Sequence, residues 1–165
     1  MLSVKIQPAL NDQINNEFYA AYLYLSMAGF FQEKNLSGFA HWMRLQREEE
    51  IAHGMKIFDF VYDRDGRVEL GALEQPQATF DSPLDVMERA LEHEREVTAK
   101  INELYELAVA EKDYSTQALL QWFILEQVEE EASALQIVEQ LRMIGDSRAA
   151  LLMLDRELGS RTAAQ

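Results

Sequence analysis

The sequence predicts an all-α protein: a four-helix bundle with one long crossover connection and a short fifth helix at the C-terminal end. Three observations lead there. Apolar residues recur every three or four positions through four long segments, the period of a helix with one buried face. Only seven glycines and three prolines punctuate 165 residues, too few for a turn-rich β architecture. The two pairs of helical segments have short turns within each pair, and about eighteen residues without period separate the pairs.

The elements follow in order. Pro8 sits where a first helix can begin, and helical period continues over residues 9–36 until Ser37-Gly38 breaks it. A second helix is expected over 39–62, stopped by Asp63-Arg64-Asp65-Gly66. The crossover, 63–82, contains Gly71 and Pro76. Ser82 can cap a third helix over 83–112, with Pro83 at its first position and Asp85 completing an S-x-x-D box. Asp113 can cap a fourth over 114–144, and Gly145 is placed to stop it. Asp146-Ser147 opens a fifth over 148–158, and the polar residues 160–165 are expected to be mobile. Residues 1–165 are expected to form one domain. A helix of ~25 residues is roughly 37 Å long, and eighteen extended residues reach roughly 60 Å. The crossover can therefore run the length of the bundle.

Composition narrows the function. With 29 acidic against 15 basic residues, the formal net charge is −14, which argues against a nucleic-acid partner. Without cysteine there is no disulfide, thiolate zinc site or sulfur-held cluster. The N-terminus, Met1-Leu2-Ser3-Val4-Lys5, lacks the charged and apolar regions of a secretory signal. No apolar run reaches the roughly 18 residues of a membrane span. The expected location is the cytoplasm, with no membrane association.

The informative feature is what interrupts the apolar stripes. The first runs Leu10, Ile14, Glu17, Ala21, Tyr24; the second Phe39, Met43, Gln46, Glu50, His53, Ile57. The third runs Leu84, Met87, Leu91, Glu94, Thr98, Ile101, and the fourth Phe123, Gln127, Glu130, Ala134, Ile137. These spacings place Glu17, Glu50, His53, Glu94, Gln127 and Glu130 on inward faces, at similar depths. Buried carboxylates need a compensating cation. At ~4 Å separation two of them repel by roughly 4 kcal/mol at an effective dielectric of 20. Di-iron carboxylate bundles use a Glu from each of two helices and Glu-x-x-His from the other two. Glu17, Glu94 and Glu50-x-x-His53 fit that pattern; the fourth helix departs with Gln127-x-x-Glu130. Four glutamates balance two divalent ions, and oxygen donors with one imidazole suit iron or manganese. Glu49, Glu126 and Glu129 lie about 100° round from the inward faces. They are either members of acidic surface runs or a third, more exposed cation site. Asp63-Arg64-Asp65-Gly66 is not a calcium loop, because Arg67 and Val68 stand where a ligand and the glycine belong. His41 and His93 lack companion ligands.

Four segments together resemble one family, the bacterial non-haem ferritins: N-x-E-F-Y-A-A-Y-L-Y around Glu17, R-E-E-E-I-A-H around Glu50 and His53, H-E-R-E around Glu94, and Q-W-F-x-x-E-Q-V-E-E-E around Gln127 and Glu130. The resemblance covers nearly the whole chain, the short fifth helix included, and implies the ferritin-like form of the four-helix bundle. It implies a ferroxidase centre that oxidises Fe²⁺ with dioxygen or hydrogen peroxide, with two irons per subunit. Glu17, Glu50 and His53 would hold one iron and Glu50, Glu94 and Glu130 the other, Glu50 bridging. Gln127 would line the centre, while Glu49, Glu126, Glu129 and Glu130 would match a third iron site. Tyr24 matches a tyrosine beside the centre, and Trp122 an aromatic neighbour. The resemblance further implies iron storage as a ferric oxyhydroxide mineral inside a homo-oligomeric cage of 24 subunits.

Ile51 stands where haem-binding relatives carry a methionine ligand, and Glu130 where they carry a histidine, so no haem is expected. The fifth helix, with Leu151, Leu152 and Leu154, is either an assembly element or a helix folded back on its own bundle. Glu111 and Asp113 are acidic candidates for an iron access route. Two other functions fit the pattern less closely: a di-iron oxidase or peroxidase that stores no mineral, and a helical interaction module without chemistry.

Overall fold

The structure of the protein, a computed structural model, describes residues 2–163. Five helices account for it: α1 (Ile6–Glu33), α2 (Ser37–Asp63), α3 (Pro83–Ala110), α4 (Tyr114–Ile144) and α5 (Arg148–Leu158). There is no strand among the described residues, and no helix is long and apolar enough to cross a membrane.

Most helix ends follow from local chemistry. Ser82 accepts from the Asp85 backbone N–H at 3.1 Å, Asp113 from Thr116 at 3.0 Å and Ser147 from Ala150 at 3.3 Å. Gly145 combines a φ of 54° with a ψ of −129° just past α4, a backbone conformation that residues with a Cβ rarely adopt. α1 differs from expectation at both ends. It begins at Ile6, because Ser3 Oγ accepts the Ile6 N–H at 3.1 Å, and Pro8 is accommodated in the first turn, where an N–H has no intrahelical partner. It ends at Glu33, and the chain turns at Asn35, whose φ is 58°. Ser37 and Gly38 do not break a helix; they are the first residues of α2. Gly38 serves a different end. A Cβ there would lie 1.6 Å from the carbonyl oxygen of Asp155, so the glycine lets the α5 backbone rest on α2.

Close pairs fix the topology. Lys5 meets Glu111, placing the start of α1 by the end of α3, and Arg64 at the end of α2 grips Asp113 at the start of α4. Between α2 and α3, residues 64–82 run along the outside of α1. Gln7 accepts from the Arg67 N–H, Asn11 donates to the Arg67 carbonyl, Asn15 accepts from the Gly71 N–H and Ser26 donates to the Gln77 carbonyl. Gln7, Asn11 and Asn15, spaced by four, form one polar stripe that satisfies the backbone of the crossover.

α5 folds back on its own bundle through buried Leu154, Asp155 and Leu158, while Leu152 and Met153 remain exposed. Asp155 Oδ1 accepts the Phe39 N–H at 3.0 Å, capping the start of α2 from across the sequence. The apolar core is split in two. One cluster holds Phe31, Phe39, Met43, Met87 and Val138; the other holds Leu10, Ile57, Ile101, Leu120 and Phe123. Between them lies a layer of buried polar side chains.

Candidate metal centre

That layer consists of Gln13 and Glu17 from α1, Gln46, Glu50 and His53 from α2, Glu94 from α3, and Gln127 and Glu130 from α4. Each stands where the helical period of its stripe puts it. Glu17, Glu50 and Glu94 are at most 2 % exposed and Glu130 6 %, so four carboxyl groups share one interior.

Glu17, Glu50 and His53 offer ligand atoms within 4.8 Å of one another, as do His53, Glu126 and Glu130. His53 Nδ1 lies 3.4 Å from Glu50 Oε2 and 3.9 Å from Glu17 Oε2. Trp122 and Phe123 pack edge-on against the imidazole, with ring centroids at 5.4 and 5.9 Å. Glu17 Oε1 accepts from Gln13 Nε2 at 2.7 Å, whereas its Oε2 is buried without a hydrogen-bond partner. A buried carboxylate oxygen left without a donor is costly; a cation bound there removes the cost.

Glu94 is oriented from two sides. Tyr24 donates its hydroxyl to Oε1, and Gln127 Nε2 donates to Oε2 at 3.1 Å. Gln127 also reaches the Glu94 carbonyl, and Thr98 donates to the same carbonyl. Glu130 Oε2 accepts from Gln46 Nε2 at 2.7 Å.

The electrostatics agree with a cation-binding interior. Burial, then the neighbouring charge of Glu94 and Glu17, pushes the Glu50 carboxyl well above its usual range. Burial raises Glu94 to about 7, opposed by the hydrogen bonds from Tyr24 and Gln127. Burial and the charge of Glu94 likewise raise Glu130 to about 7, opposed by Gln46. Burial and the surrounding carboxylates hold the Tyr24 phenol well above its ordinary value, so it stays a donor. Metal-free, the site retains protons at neutral pH; a metal displaces them.

The three more exposed candidates do not join as a set. Glu126 meets His53 and Glu130, Glu129 is exposed, and Glu49 pairs with Arg161. Glu111 and Asp113, considered for iron access, are engaged by Lys5 and Arg64. His93 is half-buried against Tyr19, with ring centroids 5.9 Å apart. Gln13, one turn before Glu17, and Gln46, one turn before Glu50, were not picked out as site residues. Their signal was present: Gln46 interrupts the second stripe itself, and Gln13, four residues before Glu17, shares its helix face.

Comparison with known proteins decides the family. The ferritin-like domain family matches residues 7–144. The chain belongs to the ferritin family. Among its relatives is the bacterial non-haem ferritin of Bacteroides fragilis, 40% identical over 161 residues, covering 98% of this chain and 100% of the relative. That of Staphylococcus aureus is 41% identical over 162 residues, covering 98% of each. Among solved structures, the open-pore ferritin from the hyperthermophilic archaeon Archaeoglobus fulgidus superposes with a TM-score of 0.97 at 56% identity, over 98% of this chain and 100% of that one. A closed form of the A. fulgidus ferritin, made by site-directed mutagenesis, gives 0.98 at 55% identity, over 99% and 100%. The five-helix arrangement is thus that of the ferritins, and the polar layer of this ferritin lies inside the bundle of a single subunit.

Proposed function

We propose that this ferritin stores iron and that each subunit is a ferroxidase. Fe²⁺ is the substrate, bound as a pair. Glu17, Glu50 and His53 hold one ion, Glu50, Glu94 and Glu130 the other, and Glu50 bridges. Each Fe²⁺ gives up one electron to dioxygen or hydrogen peroxide. The Fe³⁺ produced is deposited as ferric oxyhydroxide inside a hollow homo-oligomeric cage of 24 subunits, located in the cytoplasm.

The observation that carries this reading is the buried Glu17 Oε2, unpartnered and 3.9 Å from His53 Nδ1, within a group that also includes Glu50. Four interior carboxyls with one imidazole form a hard-oxygen donor set that two divalent ions neutralise. The residues around them have separate tasks. Tyr24 and Gln127 orient Glu94, Gln46 orients Glu130, and Gln13 turns Glu17 so that its second oxygen faces inward. Trp122 and Phe123 wall the imidazole. Glu126 and Glu130, which already converge with His53, hold a third iron together with Glu129 and Glu49 once those two turn toward them. The protons retained by Glu50, Glu94 and Glu130 leave when iron binds.

Aerobic addition of Fe²⁺ tests the chemistry, with the ferric absorbance followed in time. Wild type should oxidise iron rapidly and Glu50→Ala at the background rate; equal rates would remove the proposed centre. Size-exclusion chromatography tests storage, because a species near the subunit mass of 19.0 kDa is incompatible with a cage.

A further inference from the structure

Arg161, three residues beyond α5, was expected in a mobile tail, as was Ser160. Instead Ser160 Oγ donates to the Glu157 carbonyl, and Arg161 is anchored at several points; residues 164–165 of that tail lie outside the described residues. Its Nη2 donates to both carboxylate oxygens of Glu49, at 3.0 and 2.8 Å, and its Nη1 donates to Gln46 Oε1. The guanidinium lies 4.9 Å from the centroid of the Trp42 ring, and the Arg161 carbonyl is 2.8 Å from His41 Nε2. A planar fork that bridges two acceptors while stacked on an aromatic face is a task to which arginine is suited and lysine is not.

Gln46 carries the contact inward. It is fully buried, and the far end of its amide donates to Glu130 Oε2 at 2.7 Å. Arginine has donors and no acceptor. Gln46 must therefore present its oxygen to Arg161 and its NH₂ to Glu130, so the tail sets the direction of an amide that touches a ligand of the metal centre.

We propose that Arg161 is a built-in cation on the Glu49 side of the metal centre, where it takes the place of a metal ion at Glu49 and must withdraw before a third cation binds there. This rests on reading Glu17, Glu50, His53, Glu94 and Glu130 as the primary iron centre. While Arg161 is seated, Glu49 is neutralised and Gln46 turns a donor toward the site, an arrangement that repels a cation. When it leaves, the Glu49 carboxylate is free and the Gln46 amide can turn its oxygen inward. Two oxygen donors are then added beside Glu130, a set that suits a hard divalent ion. The C-terminal tail is thereby a positioning element and a conditional block on the third site.

The test uses the assembled, metal-free protein and Zn²⁺, which cannot be oxidised. Bound Zn²⁺ per subunit is measured by equilibrium dialysis, and its position by anomalous scattering from soaked crystals. Arg161→Gln should gain binding at Glu49, at least about tenfold tighter than wild type, and Arg161→Gln with Glu49→Gln should lose the gain. Arg161→Lys, which keeps the charge without the fork, should gain less than Arg161→Gln. Unchanged binding in Arg161→Gln, a gain that survives Glu49→Gln, or equal gains in the glutamine and lysine variants would each overturn the proposal. The primary centre is tested apart from it: Glu50→Ala that leaves wild-type Zn²⁺ binding intact overturns that reading, and its failure is seen without touching Arg161.

Discussion

Replacing Gly38 with alanine sets two physical effects against each other with opposite signs. Alanine is the better helix former, by ~1 kcal/mol, and Gly38 lies in the first turn of α2, so propensity alone makes Gly38→Ala stabilising. The packing says otherwise. The new Cβ would sit 1.6 Å from Asp155 O and 2.5 Å from the carbonyl carbon behind it, and both are backbone atoms. Restoring ordinary contact at 3.4 Å moves α5 outward by about 1.8 Å, the difference of the two distances. That displacement stretches the 3.0 Å bond from the Phe39 N–H to Asp155 and lifts Leu154 and Leu158 from their seats. Each leucine contributes roughly 1.5–3 kcal/mol when buried, and the charged hydrogen bond roughly 1.5–3 kcal/mol. Complete undocking would cost about 5–9 kcal/mol. A shift that keeps part of the contact leaves a net loss of about 2–5 kcal/mol after the propensity gain. Urea denaturation, with hydrogen exchange followed over residues 148–158, measures both consequences. The midpoint should fall and α5 should lose protection. A Gly38→Ala protein as stable as wild type, with α5 equally protected, would refute the argument from close approach.

Three further outcomes follow from the polar layer. Because Glu94 and Glu130 are raised to about 7 and Glu50 is also raised well above its usual range, the folded metal-free protein holds protons that the unfolded chain has released. Its stability should fall as pH rises from about 4.5 through 7, by roughly 3 kcal/mol for each of Glu94 and Glu130. Thermal melts at pH 5 and pH 8 check the sign, and saturating Zn²⁺ should reverse it. Glu50→Gln keeps the shape while removing the cost of holding a carboxyl, protonated or charged, in the interior, so the metal-free protein should melt higher than wild type near pH 8 and yet oxidise Fe²⁺ only at the background rate; a lower melt would contradict the electrostatic account. Tyr24→Phe removes the hydroxyl that holds Glu94, which should raise the Glu94 carboxyl further and weaken Zn²⁺ binding at pH 6.5 by about tenfold. Unaltered titration of Zn²⁺ would show that the hydroxyl does not position Glu94.

The parts of the fold legible in the sequence are those written locally. Ser82-Pro83 with Asp85, Asp113, Gly145 and Ser147 each act within a few residues of themselves, and each sits at a helix boundary. The buried polar layer was legible for a related reason: helical period converts spacing into a common face, so Glu17, Glu50, His53, Glu94, Gln127 and Glu130 could be placed at one depth without knowing how the helices pair. What stayed hidden depends on partners far along the chain. Gly38 looked like a breaker because the helix that needs its missing side chain lies more than a hundred residues away. Gln7, Asn11 and Asn15 carry no signal in the sequence, since the crossover that they hold has no period of its own. Arg161 was indistinguishable from any polar terminal residue, because its meaning lies in Glu49 and Gln46.

The two-part core gives this bundle an uncommon kind of insulation. Each of the four carboxylates is carried by the middle of a different long helix, with an apolar block above and below it, and none of them comes from a loop. Changes at the turns, such as a longer connection at residues 64–82 or a peptide appended at the N-terminal end, should be absorbed by the blocks before they reach the layer, whereas the C-terminal tail touches it through Arg161 and Gln46. A single residue inserted within a helix is another matter, because it rotates everything beyond it by about 100° and turns the carboxylate out of the interior. The chemistry is therefore tolerant of edits to length at the ends of helices and intolerant of edits to phase within them. For anyone adapting the subunit as a container, the turns are the places to build.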